Sequence, residues 1–201
     1  MGLTGKIDSG FVKKPYKVGE PCADAGILKQ TRAGVFFCLL DVSGHGPKAA
    51  RLTRTAKQYV LKNASGDLTE VMRGLHHYLK GTRGCVAAMG RIDAKKGLFH
   101  CVSNGNIGTR IFTTKSSVRI LPKTGIIGYI MPTPVEETHQ LHDGDIVLLY
   151  SDGIKDHFER GECKPFLGEN AGHIAKKILN LFSRGSDDAS CLALRFIRVR
   201  V

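Results

Sequence analysis

The chain has 201 residues, which is enough for one domain with a sizeable buried core, and we expect a single domain over residues 1–201. A hydrophobic fraction of 42% with 24 glycines is typical of a compact, loop-rich α/β or α+β protein, and no apolar run is long enough to span a membrane. The net charge of +12 permits binding to polyanions, but the basic residues are scattered and aromatic residues make up only 7%, so we expect no specific nucleic-acid binding.

The N-terminus and the cysteines favour a cytoplasmic protein. The opening residues, MGLTGKIDSG, lack the apolar core of a signal peptide. The six cysteines form neither a CxxC pair nor a cluster with zinc spacing, so we expect them to be reduced. We therefore predict no membrane association and a cytoplasmic location.

Short β-strands are predicted in the first forty residues. Residues 10–12 and 16–18 are short strand candidates, and residues 27–30 and 35–40 form a hairpin around a turn. The run at 35–40 is entirely apolar and is bounded by turn residues, which is typical of a strand buried on both faces.

Two helices are predicted next. Pro47 suits the first residue of a helix, and apolar residues recur at helical spacing until about residue 63. Asp67 followed by Glu70 resembles a capping box and marks the start of the second helix.

The second half of the chain is predicted to be mostly β. The strands expected there are residues 85–92, 98–103, 107–114, 118–121 and 145–150. A short helix over 154–161, a longer helix over 169–182 and a final strand over 189–201 complete the chain.

Four aspartates at junctions between strands and turns are candidate ligands of a divalent metal. Asp24, Asp41, Asp152 and Asp187 lie at such junctions, with Asp188 as a fifth candidate. An oxygen-only set suits a hard cation such as Mg²⁺ or Mn²⁺, and clustered carboxylates repel one another unless a cation compensates them. Each aspartate taken alone also fits ordinary turn chemistry, so the joint pattern carries the prediction.

Four motifs in this order resemble the metal-dependent protein phosphatases of the 2C type. They are Cys22-Ala-Asp24, Asp41-Val-Ser-Gly-His-Gly46, the segment GDIVLLYSDG ending at Gly153, and Ser186-Asp-Asp-Ala-Ser190. The resemblance is to the bacterial sporulation and stress-response branch, and the short chain is similar to stand-alone stressosome feedback phosphatases of the RsbX type. It implies a four-layer αββα sandwich of two antiparallel β-sheets flanked by helices. It also implies hydrolysis of phosphoserine or phosphothreonine in stressosome scaffold proteins.

The resemblance assigns ligand roles to five residues. Asp41 would bridge two divalent cations, Mn²⁺ or Mg²⁺, and the backbone carbonyl of Val42 would ligate one of them. Asp24, Asp152 and Asp187 would complete the protein ligands. Asp41 and Asp152 would thereby take part in catalysis through a metal-activated water.

Other positions are assigned supporting or alternative roles. Asp188 stands where many relatives have Asn and would support the ligands, as would Gly153. Ser43 occupies the position of the histidine proposed as general acid in some eukaryotic relatives. His45 lies two residues further on and is a candidate for that role, with a structural loop histidine as the alternative. The phosphate-binding arginine of those relatives has no counterpart, because its position falls near Gly19.

Two functions are consistent with the sequence. The first is a metal-dependent serine/threonine phosphoprotein phosphatase in bacterial stress signalling. The alternative is a noncatalytic basic module that binds a phosphorylated partner or nucleic acid. The presence of all four candidate ligands favours the enzyme, whereas the basic charge fits both.

Overall fold

The computed structural model describes residues 3–200, which contain ten β-strands and four α-helices. The strands are β1 Leu3–Lys14, β2 Asp24–Thr31, β3 Gly34–Val42, β4 Cys85–Asp93, β5 Leu98–Asn104, β6 Gly108–Phe112, β7 Ser117–Ile120, β8 Glu137–Gln140, β9 Ile146–Tyr150 and β10 Ala189–Arg200. The helices are α1 Gly46–Asn63, α2 Leu68–Tyr78, α3 Arg160–Cys163 and α4 Ala171–Phe182.

The strands form two five-stranded antiparallel sheets. One has the order β1-β10-β9-β6-β7 and the other β2-β3-β4-β5-β8. Helices α1 and α2 pack on the second sheet, and α4 packs on β1 and β10 of the first. The predicted αββα sandwich is therefore confirmed. No helix in residues 3–200 is both long and apolar enough to cross a membrane.

Strand β3 lies between β2 and β4 in the second sheet and is buried on both faces, as predicted. Phe36 and Leu40 pack in the cluster shared with α1 and α2, whereas Phe37 and Leu39 pack between the two sheets. Each such side chain contributes about 1.5–3 kcal/mol through its burial. The strand that carries Asp41 is therefore held rigidly in place.

The helix starts follow the predicted chemistry with one difference. The Asp67 carboxylate accepts hydrogen bonds from the backbone N–H groups of Thr69 (2.9 Å) and Glu70 (3.1 Å), so it caps α2. Glu70 does not complete a capping box, because its carboxylate pairs with Arg73. Asp67 alone satisfies these N–H groups.

The N-terminal strand is longer than predicted. Instead of two short strands, residues 3–14 form the single strand β1, and residues 16–18 lie outside it. The register runs from Leu3 opposite Arg200 to Lys14 opposite Ala189, so a partner strand nearly 200 residues away dictates the conformation. Local patterns do not contain such long-range pairing.

The prediction of a helix over residues 154–161 was wrong for most of that range, since α3 begins only at Arg160. In the structure Ile154 bridges to Ser183, and the Arg110 guanidinium donates hydrogen bonds to the carbonyl oxygens of Asp156 (2.7 Å) and Phe158 (2.5 Å). These contacts hold the backbone in a nonhelical form.

Candidate functional site

Asp24 and Asp41 face each other across two neighbouring strands. Asp24 begins β2, Asp41 is the penultimate residue of β3, and the two are directly paired in the antiparallel register. The Asp24 side chain is only 1% exposed, and Asp41 is half-buried. Two carboxylates are thereby placed at one end of the second sheet.

The first sheet supplies the remaining aspartates at the same end. Asp152 follows the end of β9, and Asp187 and Asp188 precede the start of β10, which pairs with β9. The hydroxyl of Ser151 donates a 2.7 Å hydrogen bond to Asp24 Oδ2 and so joins the two sheets. The structure therefore brings all five predicted aspartates together.

Electrostatics show how closely the carboxylates lie. The pKa of Asp41 is raised to about 8. Burial is the largest cause, and the charges of the neighbouring aspartates Asp24, Asp152, Asp187 and Asp188 add to it. Burial likewise raises the pKa of Asp24 to about 6, despite the hydrogen bond from a serine hydroxyl. Burial and then Asp187 raise the pKa of Asp152. Within residues 3–200, nearby positive groups do not fully balance the negative charge of these carboxylates.

The donor set fits a hard divalent cation. Asp24 Oδ1 is buried and has no hydrogen-bond partner within residues 3–200, although buried polar atoms are nearly always paired. The neighbouring donors are carboxylate oxygens, which are the ligands that Mg²⁺ and Mn²⁺ prefer. A cation would satisfy the orphaned oxygen and relieve the repulsion.

Two polar side chains orient the aspartates. Asn106 Nδ2 donates a 2.8 Å hydrogen bond to Asp152 Oδ2, and the backbone N–H of Ser190 donates to Ser151 Oγ (2.9 Å), which in turn donates to Asp24. Hydrogen bonds of this kind fix the orientation of metal-binding groups. Asn106 and Ser151 each contact one carboxylate oxygen, of Asp152 and of Asp24, and thus leave the other oxygen available to a cation.

Asp188 has a bracing role. Its Oδ1 accepts from the backbone N–H of Tyr16 (2.7 Å) and its Oδ2 from that of Ala23 (2.6 Å), so both oxygens are engaged. Cys22, Asp24 and Asp188 also place one ligand atom each within 4.8 Å of one another. Burial and then Asp24 raise the pKa of the Cys22 thiol to about 12. This group suits a hard cation less well, because a thiol is a soft ligand and Mg²⁺ and Mn²⁺ prefer oxygen.

Replacing Asp188 tests the bracing role. Asp188→Ala leaves two backbone N–H groups without acceptors, and we expect the free energy of unfolding to fall by roughly 2–4 kcal/mol. Asp188→Asn retains one acceptor oxygen and should cost about half as much. Urea denaturation of both variants measures the difference. Equal stability of wild type and Asp188→Ala would contradict this role.

Gly153 permits a close approach between two site loops. A Cβ at this position would lie 2.0 Å from the carbonyl oxygen of Asp188, which is backbone and cannot rotate away. The Arg184 N–H also donates to the Gly153 carbonyl oxygen (2.8 Å), which ties the two loops together. A side chain at Gly153 would push Asp152 away from the other carboxylates.

We expect Gly153→Ala to lower the free energy of unfolding by about 1–3 kcal/mol, the usual cost of overpacking, and to weaken divalent-cation binding at least about tenfold. Gly161→Ala is the matched control, since a Cβ there meets no atom within 4 Å. Thermal unfolding and metal titration of both variants provide the comparison. If Gly153→Ala behaved like Gly161→Ala in both assays, the steric argument would fail.

His45 and Val42 border the site. Val42 ends β3 directly after Asp41 and is buried, which places its backbone beside the carboxylates. His45 is exposed at the N-cap of α1, its Nδ1 lies 3.4 Å from Glu20 Oε2, and its ring contacts that of Tyr16. These contacts fit a loop histidine as well as a proton donor.

Several site residues were missed by the sequence analysis. Asn106 lies outside the four motifs, and Ser151 and Ser190 lie inside them beside the aspartates. The available signal was their position inside the same motifs or in a loop between strands. Their hydrogen bonds join segments far apart in the sequence, so spacing does not reveal them.

The sandwich with carboxylates at one end of both sheets defines the protein phosphatase 2C (PP2C) type of domain. The sequence family described as Stage II sporulation protein E (SpoIIE) matches residues 31–197. The chain belongs to this family, and the predicted membership of the sporulation and stress-response branch is confirmed. No curated protein matches the chain.

Solved structures share this fold over nearly the whole chain. One, described as "The bacterial stressosome: a modular system that has been adapted to control secondary messenger signaling", is 28% identical with a TM-score of 0.86 over 94% of this chain and 100% of that one. RsbX in complex with magnesium is 18% identical, with a TM-score of 0.81 over 94% and 95% of the two chains. The PP2C domain of SpoIIE from Bacillus subtilis, with a fragment of its regulatory domain, is 15% identical, with a TM-score of 0.80 over 99% and 65%.

Proposed function

We propose that this protein is a metal-dependent serine/threonine phosphoprotein phosphatase with one catalytic domain over residues 1–201. The observation that carries the proposal is the convergence of Asp24, Asp41, Asp152 and Asp187 with a buried, unpartnered oxygen among them. Isolated turn aspartates do not raise one another's pKa in this way. The same crowding favours an enzyme over a noncatalytic module, because uncompensated buried charge costs stability.

The proposed cofactors are two divalent cations, Mn²⁺ or Mg²⁺. Asp24, Asp41, Asp152 and Asp187 would hold them, with Asp41 shared between the two and the carbonyl of Val42 as a further ligand. When bound, such cations polarise a phosphoryl oxygen and stabilise the negative charge that develops during an in-line displacement. The RsbX structure with magnesium supports this choice of cation class.

The remaining site residues position these groups. Asn106 holds Asp152 and Ser151 holds Asp24, each by one hydrogen bond. Asp152 and Asp187 are exposed whereas Asp24 is buried, so the site opens to solvent on their side. A cavity of about 320 Å³ adjoins Asp152 and is also lined by Asn106 and Arg184. An open site of this kind can admit a phosphorylated side chain carried on a large protein.

The proposed substrate is a phosphorylated stressosome scaffold protein. Support comes from the 28% identical structure associated with the bacterial stressosome and from the similarity to RsbX. A phosphoserine or phosphothreonine on such a protein would reach the aspartates from the exposed side. His45 stays a candidate proton donor to the leaving oxygen, and its replacement by Gln tests that role through the pH dependence of kcat.

Hydrolysis of matched phosphoserine, phosphothreonine and phosphotyrosine peptides, with and without added Mn²⁺ or Mg²⁺, tests the proposal. We expect phosphate release from the first two peptides only when divalent metal is present. Full activity in excess chelator would contradict metal dependence. Activity restricted to phosphotyrosine would contradict the substrate class.

A further inference from the structure

A basic cleft lies outside the carboxylate site, between β1, the segment that leads into β2, and α1. Its volume is about 450 Å³, and four cationic side chains, Lys13, Arg51, Arg54 and Lys57, are among the residues that line it. The lining also includes the small apolar residues Ala25 and Ala50 and the exposed Pro21 and Pro47. The cleft therefore combines four cationic side chains with small apolar ones.

The positive charge of the cleft is unpaired within residues 3–200. Helix α1 carries Lys48, Arg51, Arg54, Lys57 and Lys62 and has no acidic residue. Within that range, no carboxylate lies within 4 Å of Arg51, Arg54 or Lys57.

The nearby acidic groups form no ion pair with these cations within residues 3–200. Glu20, which precedes Pro21, contacts His45. The carboxylate of Asp24 accepts from Ser151, and only the backbone carbonyl of Asp24 contacts the cleft residue Lys13, whose Nζ donates to it at 2.8 Å. Like charges three residues apart on a helix repel, so this arrangement costs stability unless an anion binds.

The cleft is rigid where it meets the carboxylate site. The Thr53 hydroxyl donates to the Ala23 carbonyl oxygen and ties α1 to the start of β2. Lys13 Nζ also donates to the carbonyl oxygen of Cys22 at 3.1 Å. A preformed site loses little conformational entropy on binding.

The lining of the cleft distinguishes between anionic partners. No aromatic side chain lines the cleft in the described part of the chain, so nothing is present to stack on nucleic-acid bases. An extended peptide with alternating acidic and small apolar residues matches a lining of cationic side chains interspersed with proline and alanine, because successive side chains point in opposite directions.

We propose that this cleft is a docking site for an acidic, Asp/Glu-rich segment of a partner protein. The site lies beside the strand that carries Asp24, so it would hold the partner next to the carboxylate site. The inference does not depend on the proposed hydrolysis, because binding is measured without turnover.

Fluorescence anisotropy with a labelled peptide of alternating glutamate and alanine tests the proposal at an ionic strength of about 0.15 M, where distant surface charges are screened. The double variant Arg51→Glu/Arg54→Glu should weaken binding at least about tenfold. The matched control is Lys176→Glu/Lys177→Glu, which changes two exposed cations on α4, on the opposite outer layer. It should change binding less than about twofold.

Further probes make each outcome decisive. A peptide with glutamine in place of glutamate should bind neither wild type nor variant, and circular dichroism should show that both double variants are folded. Equal losses in the two variants would mean that net charge alone attracts the peptide, and would overturn the proposal. Absence of peptide binding, or tighter Arg51/Arg54-dependent binding of oligothymidylate, would also overturn it.

Discussion

Asp41→Asn is expected to lower kcat/KM for metal-supported phosphopeptide hydrolysis at least about hundredfold. Loss of groups that merely orient metal ligands costs about 10–100-fold, and Asp41 is proposed as the ligand shared by both cations. Asparagine keeps the size of the side chain but removes the charge. Steady-state kinetics at saturating Mn²⁺ measure the effect, and Asp152→Asn should show a similar loss.

Asp143→Asn is the matched control for these variants. Asp143 is another aspartate beside a glycine, and its Oδ1 accepts a 2.7 Å hydrogen bond from the Arg198 N–H, which an asparagine oxygen also accepts. Its activity should stay within about twofold of wild type, the effect expected of a neutral surface change. Full activity of both Asp41→Asn and Asp152→Asn would contradict the proposed site.

The second large effect is on the stability of the metal-free protein. The pKa of Asp41 is about 8 in the folded chain against 3.8 as its ordinary value, chiefly because of burial and then the neighbouring aspartates. The folded state therefore binds this proton more tightly than the unfolded state. The free energy of unfolding consequently falls as the pH rises from about 4 to about 8.

Asp41→Asn removes this cost, so in excess chelator it should be more stable than wild type at pH 8 by roughly 1–3 kcal/mol. The difference should shrink as the pH falls toward 4 and vanish only below it, where the carboxyl is protonated in the unfolded state as well. Added Mn²⁺ should reverse the order, since a ligand at 100 times its Kd adds about 2.7 kcal/mol to the protein that binds it. Urea denaturation across this pH range, with and without Mn²⁺, checks both statements. A wild type more stable than the variant in chelator at pH 8 would be inconsistent with mutual repulsion at this site.

The family resemblance carried by the motifs predicted the architecture, and the position of each aspartate at a junction between a strand and a turn is a local signal that predicted their convergence. The apolar run at residues 35–40 identifies a doubly buried strand, and Asp41 follows that run directly, as Asp152 follows the apolar strand β9 after one serine. The αββα sandwich was predicted from the order of the motifs rather than from the composition.

The features that could not be predicted depend on long-range contacts. Strand β1 is defined by its pairing with β10, and residues 154–158 by their hydrogen bonds to Arg110. Asn106 and Asp152 are joined by one hydrogen bond across 46 residues. The net charge is consistent with a surface that attracts an acidic partner, but the basic cleft forms only when Lys13 of β1 meets α1, so the scattered charges do not locate it.

Anomalous diffraction from crystals grown with Mn²⁺ tests the central claim most directly, because it locates the cation itself. We predict Mn²⁺ among the carboxylates of Asp24, Asp41, Asp152 and Asp187, bound directly to their oxygens. Mn²⁺ bound instead to the group of Cys22, Asp24 and Asp188, or no ordered Mn²⁺ near Asp41, would contradict it.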